Sequence, residues 1–290
     1  MSTGNLLTDH PELYEERFPD PDRLAARWAE ATLRRHGAGA QVLDLGCGTG
    51  RDAAWLHQHA GRQVTGIDTA EAMLAHARRR HPGPDYHRAD MRDFDLGHTF
   101  DAVLCMDSAL LYCHTNDDLA SCLATIGRHL NPGGLLIAEM RNGAFFLGST
   151  ELLDGPRTAS FDWRGTRHTS HTTLWIDHGA QLLRRRRTWT ADDGGPVKEQ
   201  QEQQEQQERQ EQHSAWRLLF PQELRYFLTT AGFEVLDLYD RPGPRTEPPW
   251  REGDVPLGTT SSDRLHLVAR LTPRLTPWNN SQYSNGDTTP

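Results

Sequence analysis

The sequence predicts an α/β fold built on a mostly parallel sheet with helices on both faces, and three observations carry that expectation. Between residues 41 and 140, short apolar runs alternate with helical stretches, the signature of successive strand–helix–strand units. A glycine-rich turn, Gly46-Cys-Gly-Thr-Gly50, directly follows the first of those runs. After residue 150 the pattern changes to polar-alternating strands without intervening helices, which predicts an antiparallel β segment.

The elements follow in order. Pro11 opens a short helix, and Pro19 and Pro21 separate it from a second in which Leu24, Trp28 and Leu33 share a face, so residues 1–40 form an N-terminal helical segment. Strands are expected at 41–45, 63–67, 85–88, 102–106 and 135–140, with helices at 51–59, 70–80 and 116–130 between them. Asn131-Pro-Gly-Gly134 is the turn before the fifth strand. Residues 41–150 make up this core. Longer strands at 158–176, 181–190 and 212–219 form a cap over 151–220. A helix from Pro221 to Ala231, closed by Gly232, and strands at 233–238 and 262–271 complete the core over 221–272. The low-complexity segment 199–212 includes a strict three-residue Glu/Gln repeat, which matches neither helix nor strand period and defines no buried face. Residues 273–290, rich in Pro, Asn, Ser and Thr, read as a disordered tail.

Composition narrows the function. A net charge of -9 argues against a nucleic-acid partner, which calls for a basic face. No apolar run reaches the roughly 20 residues of a membrane span, and no basic-then-apolar leader opens the chain. The expected location is cytoplasmic. Cys47, Cys105, Cys113 and Cys122 form no CxxC pair and read as small core residues. A single lysine against thirty arginines is the codon bias of a GC-rich bacterial genome.

The chemistry concentrates at strand ends. Asp44, Gly46, Gly48 and Gly50 give D-x-G-x-G-x-G at a strand-to-helix junction, where glycines let a ligand meet bare backbone. Dinucleotide sites use the same physics, but their third glycine falls where this chain has Arg51. An acid two residues before the turn suits a cationic ammonium or sulfonium better than a pyrophosphate. Asp68 ends the second strand, placed either to accept both hydroxyls of a ribose or, like Thr69, to cap the next helix. Asp90 and Met91 follow the third strand, where an acid can accept from an adenine amino group while methionine packs on the ring.

Together, Val42 to Gly50, Ile67-Asp68, Ala89-Asp90-Met91-Arg92, Phe100 to Met106 and Leu130-Asn-Pro-Gly-Gly134 closely resemble class I S-adenosylmethionine-dependent methyltransferases. That resemblance covers roughly residues 40 to 145. It implies a Rossmann-like, seven-stranded, mostly parallel sheet with an antiparallel β cap inserted after the fifth strand and an N-terminal helical lid. It also implies S-adenosyl-L-methionine as cofactor, with Gly46 to Gly50 at its methionine portion, Asp68 and Thr69 at the ribose, Asp90 and Met91 at the adenine, and Met106 near the sulfonium. His87 to Gly97 and Trp216 to Arg225 are similar to bacterial amino-sugar N-methyltransferases of natural-product pathways, and glycine N-methyltransferase-like enzymes share the plan.

A sulfonium methyl is already activated, so such an enzyme aligns donor and nucleophile and excludes water. An amine must also lose a proton before it attacks. Asp107 and His114 after the fourth strand, with Tyr14 on the N-terminal helix, are the catalytic candidates. Asp107 fits either a polar acceptor or a helix cap, and His114 either a base or a loop position. Phe18 and Tyr112, with Glu139, Arg141 and Asn142 at the end of the fifth strand, are the candidates for contact with the acceptor. Alternation puts Glu139 and Arg141 on one side, where they read as an ion pair or as ligand contacts. Arg184 to Arg187 reads as a solvated strand face, or as anion binding by half its members. His168 and His171, three apart in a strand, offer poor metal geometry, and no metal site is expected. N-methylation of a small amine is the leading expectation. O- or C-methylation, including that of a prenyl diphosphate, stands beside it, and a non-catalytic cofactor-binding regulator stands further off. A homo-oligomer is compatible with a strand-rich cap.

Overall fold

The computed structural model describes residues 5–148, 153–192, 210–246 and 250–272. The Glu199–Glu208 repeat and the tail expected from residue 273 lie outside these residues.

β1 (Gln41–Leu45), β2 (Gln63–Asp68), β3 (Asp85–Arg88), β4 (Phe100–Cys105) and β5 (Leu130–Arg141) run parallel in the order β5-β4-β1-β2-β3. β10 (Phe233–Tyr239) and β11 (Arg264–Leu271) extend the sheet beyond β5 as antiparallel strands, giving seven in all. Helices α4 (Arg51–Ala60), α5 (Glu71–Arg80) and α6 (Asn116–Arg128) are the crossovers, and α7 (Pro221–Thr230) precedes β10. Because helices cover both faces, the central strands are buried almost without a break. Leu43, Leu45, Val103 and Leu136 pack with α6 and α7, while Val42, Val64, Ala102 and Leu104 pack with α3 (Leu24–Arg35), α4 and α5. The strand order reverses between β1 and β4. In a sheet of this kind the crevice beyond the strand ends at that point is where a ligand fits.

The turn expected at Asn131 to Gly134 lies within β5, where Gly133 takes φ +80° and the register against β4 shifts between Phe100 and Ala102. The cap is a four-stranded antiparallel sheet: β6 (Arg157–Trp163), β7 (Thr166–Asp177), β8 (Leu182–Asp192) and β9 (Gln210–Arg217). Here the single strand expected over 158–176 is corrected to two. Arg164 (φ +52°) and Gly165 (φ +82°) make a two-residue hairpin turn inside it, and successive positive φ values suit the twist of a hairpin. The N-terminal helices α1 (Leu6–Asp9) and α2 (Pro11–Arg17) lie against this cap, Leu6 and Leu13 packing on Trp189, Phe161 and Trp163. Among the described residues no helix is long and apolar enough to cross a membrane.

Candidate active site

The crevice begins at the turn after β1. Gly46, Gly48 and Gly50 all take positive φ, at +75°, +54° and +76°, a region that side chains enter at a cost of about 1–2 kcal/mol. Gly50 also has no room, because an added Cβ would lie 2.5 Å from Tyr86 Oη and 2.7 Å from Ala77 Cβ. Beneath the turn, Asp44 is buried, and no described residue pairs with its carboxylate. Burial, then the neighbouring charges of Asp52 and Asp68, push it up to about 7. A buried acid without a cation is a costly arrangement unless a ligand brings one. That observation fits a cofactor with a cationic group.

Asp68 does two things at once. Its Oδ2 accepts from Gly48 N–H at 3.0 Å and its Oδ1 from Ala70 N–H at 2.8 Å. The carboxylate therefore braces the glycine turn and satisfies the start of α5, whose own cap residue, Ala70, supplies no side chain. Asp90 is held in a fork by Arg92, at 2.9 and 2.6 Å, and this pairing keeps it below the usual carboxylate range. Gly46, Asp68, Thr69, Asp90 and Met91 line one cavity of about 420 Å³, whose far wall includes Tyr112 and His114.

A second group of residues gathers where β4 and β5 end. Asp107 and Ser108 both take left-handed backbone, φ +49° and +66°, a strain that persists only when the surroundings enforce it. Glu139 enforces it. Its Oε2 accepts Asp107 N–H at 3.0 Å, its carbonyl accepts Ser108 N–H at 2.9 Å, and Ser108 Oγ accepts Arg141 N–H at 3.1 Å. The Asp107 carboxylate thus turns outward to Tyr14 Oη at 3.1 Å and the Arg245 guanidinium at 3.3 Å. Burial, then the Asp107 charge, raise the Tyr14 phenol, so it stays a donor near neutrality. Phe18 lies against Tyr14, ring centroids 5.0 Å apart, and is half exposed. Met106 is partly buried beside the α3–α5 face of the core.

Three sequence expectations are corrected here. The ion pair read between Glu139 and Arg141 does not form. Glu139 pairs instead with Arg264 at 3.1 Å and lies 3.8 Å from Arg245, while the Arg141 guanidinium lies 5.9 Å from the Phe146 ring and has no carboxylate partner among the described residues. Asn142 is no acceptor contact: its amide donates to the carbonyls of Thr260 and Ser262, and its Oδ1 accepts from Ala144 N–H, so both donors are spent on backbone. Asp107 caps no helix. His114 is tied by Nε2 to the Ala215 carbonyl at 2.9 Å, which fixes the hydrogen on Nε2 and leaves Nδ1 as an acceptor.

Sequence reading missed Arg245 and Arg264, which lie more than 100 residues beyond the strand ends they serve. For Arg184 to Arg187 it left open a solvated strand face or anion binding by half the run. Arg184 is paired with Asp177, but Arg185 and Arg187 are drawn inward, stacked on Trp216 at 4.8 Å and Trp189 at 5.3 Å. Among the described residues neither has a carboxylate partner. Burial lowers both, and the Arg185 charge helps bring Arg187 to about 10. Alternation along β8 explains the split.

Residues 42–134 match the methyltransferase domain family. Over this segment the chain carries a methyltransferase domain. It is similar to the dTDP-3-amino-3,4,6-trideoxy-alpha-D-glucopyranose N,N-dimethyltransferase of Streptomyces venezuelae, 35% identical over 135 residues, which are 45% of this chain and 56% of that one. Glycine N-methyltransferase of Rattus norvegicus is 32% identical over 141 residues, 42% of this chain and 47% of that one. The chain thus spans about half the length of the curated relatives it matches. The likeness in fold extends further than the domain. An S-adenosylmethionine-bound amino pentose methyltransferase from Micromonospora echinaspora covers 91% of this chain and 96% of its own, at 25% identity and a TM-score of 0.64. A sugar N-methyltransferase from a Streptoalloteichus species covers 93% and 96%, at 23% identity and a TM-score of 0.69.

Proposed function

We propose that this protein transfers a methyl group from S-adenosylmethionine to the nitrogen of a small amine of the amino-sugar kind, in bacterial natural-product biosynthesis. The observation that carries the reading is the Asp107 carboxylate, held outward by a strained turn at the switch point of a methyltransferase domain. A protonated amine is drawn to such a carboxylate. His114, with Nε2–H fixed on Ala215, offers Nδ1 to take the proton that the amine must lose. Tyr14 keeps Asp107 oriented by its hydrogen bond.

The cofactor supplies a methyl group already activated as a sulfonium. Asp44 faces its cationic part, the Gly46 to Gly50 backbone lies along its methionine portion, and Met106 sits near the sulfonium. Asp68 and Thr69 take the ribose, and Asp90 with Met91 the adenine. Phe18 and Tyr112 close the acceptor side and exclude water. Three of the relatives are named for dTDP-linked amino sugars, and a diphosphate on the acceptor agrees with the cations of Arg141, Arg185 and Arg187, which have no carboxylate partner among the described residues. Those cations equally suit C-methylation of a prenyl diphosphate, but that reaction gives the outward-turned Asp107 carboxylate no substrate cation to attract.

The test is incubation with labelled S-adenosylmethionine and a panel of dTDP-amino sugars, their hydroxyl counterparts and prenyl diphosphates. Label on nitrogen of an amino sugar is expected. Label only on oxygen or carbon would overturn the reading.

A further inference from the structure

We propose that Glu15 on α2 and His76 and His81, on and just beyond α5, bind a zinc ion that fastens the N-terminal helices to the methyltransferase core. The donor atoms of these three residues lie within 4.8 Å of one another. His76 is the anomaly that points to a ligand. Its side chain is 1% exposed, and among the described residues neither ring nitrogen has a hydrogen-bond partner. A buried imidazole is ordinarily satisfied. Here Nε2 faces Glu15 Oε2 at 3.4 Å and Nδ1 faces Glu12 Oε1 at 3.5 Å, both too long to serve well.

Coordination resolves this. Two imidazoles and a carboxylate are a zinc donor set, and bonds of about 2.0–2.1 Å in a tetrahedron place donors roughly 3.3 Å apart. The His76 Nε2 to Glu15 Oε2 separation already has about that value, and His81 Nε2, 2.8 Å from the other carboxylate oxygen, Oε1, needs to open by a few tenths of an ångström as the carboxylate turns. Glu12 then stands behind His76 Nδ1 as the carboxylate that orients a ligating imidazole. Water completes the fourth position. The consequence is mechanical. Glu15 adjoins Tyr14, whose hydroxyl reaches Asp107, and it also lies beside Thr49 of the glycine turn. An ion at Glu15 therefore holds α2 against both the cofactor turn and the acceptor side.

With 15 histidines in the chain, binding alone does not locate the site, so the variants decide. Chelator-treated full-length protein is titrated with Zn²⁺ alone by calorimetry, and with Co²⁺ by visible absorption. One high-affinity equivalent, with a dissociation constant of about 1 μM or tighter, a tetrahedral Co²⁺ spectrum and a zinc-dependent rise in melting temperature are expected. Glu15→Gln and His81→Ala, both at partly exposed positions, should weaken binding at least about tenfold and abolish the melting shift while keeping the metal-free circular dichroism spectrum. No binding to wild type overturns the proposal, as does binding that both variants leave unchanged. Neither outcome bears on methyl transfer, which is read separately from labelled product.

Discussion

The Tyr14 hydroxyl donates to Asp107 Oδ2 at 3.1 Å, a hydrogen bond that joins the N-terminal α2 helix to the turn after β4 across 93 positions of sequence. Because the acceptor is charged, such a bond is worth roughly 1.5 kcal/mol or more. Tyr14→Phe keeps the ring against Phe18 and removes only the hydroxyl. It should lower kcat about tenfold while leaving S-adenosylmethionine affinity within about twofold, since Tyr14 does not line the cavity proposed for the cofactor. Asp107→Asn should raise KM for the amine as well, because the charge that draws the ammonium is gone. Steady-state kinetics on both variants check this. Unchanged kcat in each would reduce the contact to a helix latch.

Asp44 sets a pH dependence whose sign follows from its raised value of about 7. A cationic ligand binds the ionised form better, so below about 7 docking must release a proton, and affinity should fall by up to about tenfold per pH unit. Above that range it should be flat. Without cofactor the linkage acts on folding. The folded state holds this proton more tightly than the unfolded chain, so stability should decline as pH rises from the ordinary aspartate range toward 7, by about 1.4 kcal/mol per unit from this group. Calorimetry in buffers of different ionisation enthalpy measures the released proton. Asp44→Asn should flatten both profiles.

What was legible in the sequence was local. The glycine turn, its acid and the strand-end aspartates lie within a few residues of the elements that position them, and Gly46, Asp68, Thr69, Asp90 and Met91 meet at one cavity. The acceptor side depends on distant pairings that no spacing encodes. Glu139 reads naturally with Arg141, two residues on, yet its partner comes from β11, because the antiparallel register sets Arg264 beside the end of β5. Asn142 has the look of a ligand contact until the carbonyls of Thr260 and Ser262 claim it. The Arg164–Gly165 turn was hidden for a different reason: arginine is a poor signal for a left-handed residue, and the alternation continues on both sides of it. Glu15 and His76 meet only because α2 packs on α5.

The glycines of the turn should separate by cost. Gly48 has φ +54° and nothing within 4 Å of an added Cβ, so Gly48→Ala should cost about 1–2 kcal/mol, the left-handed penalty alone. Gly50→Ala carries the same penalty and drives a methyl group into Tyr86 and Ala77. Overpacking of that kind adds about 1–3 kcal/mol. Urea denaturation of the two variants should place Gly50→Ala clearly below Gly48→Ala, and equal midpoints would mean that the turn relaxes freely.

Glu139 and Arg264 form a buried pair at the end of β5, 1% and 11% exposed at their side chains. Breaking one half is worse than removing both, because the buried carboxylate then keeps only the more distant Arg245 guanidinium, 3.8 Å away, as a cation. Arg264→Met should destabilise by about 3–5 kcal/mol at neutral pH. The Arg264→Met/Glu139→Gln double variant should recover part of that loss, since glutamine still accepts Asp107 N–H. Burial already raises Glu139, and losing the Arg264 cation raises it further. The deficit of Arg264→Met should therefore shrink as pH falls and the carboxyl takes up its proton. Denaturant unfolding of the four proteins in the cycle, at neutral and at mildly acidic pH, measures both effects. A deficit that grows on acidification would mean that the destabilisation comes from lost packing around Arg264 rather than from the stranded charge.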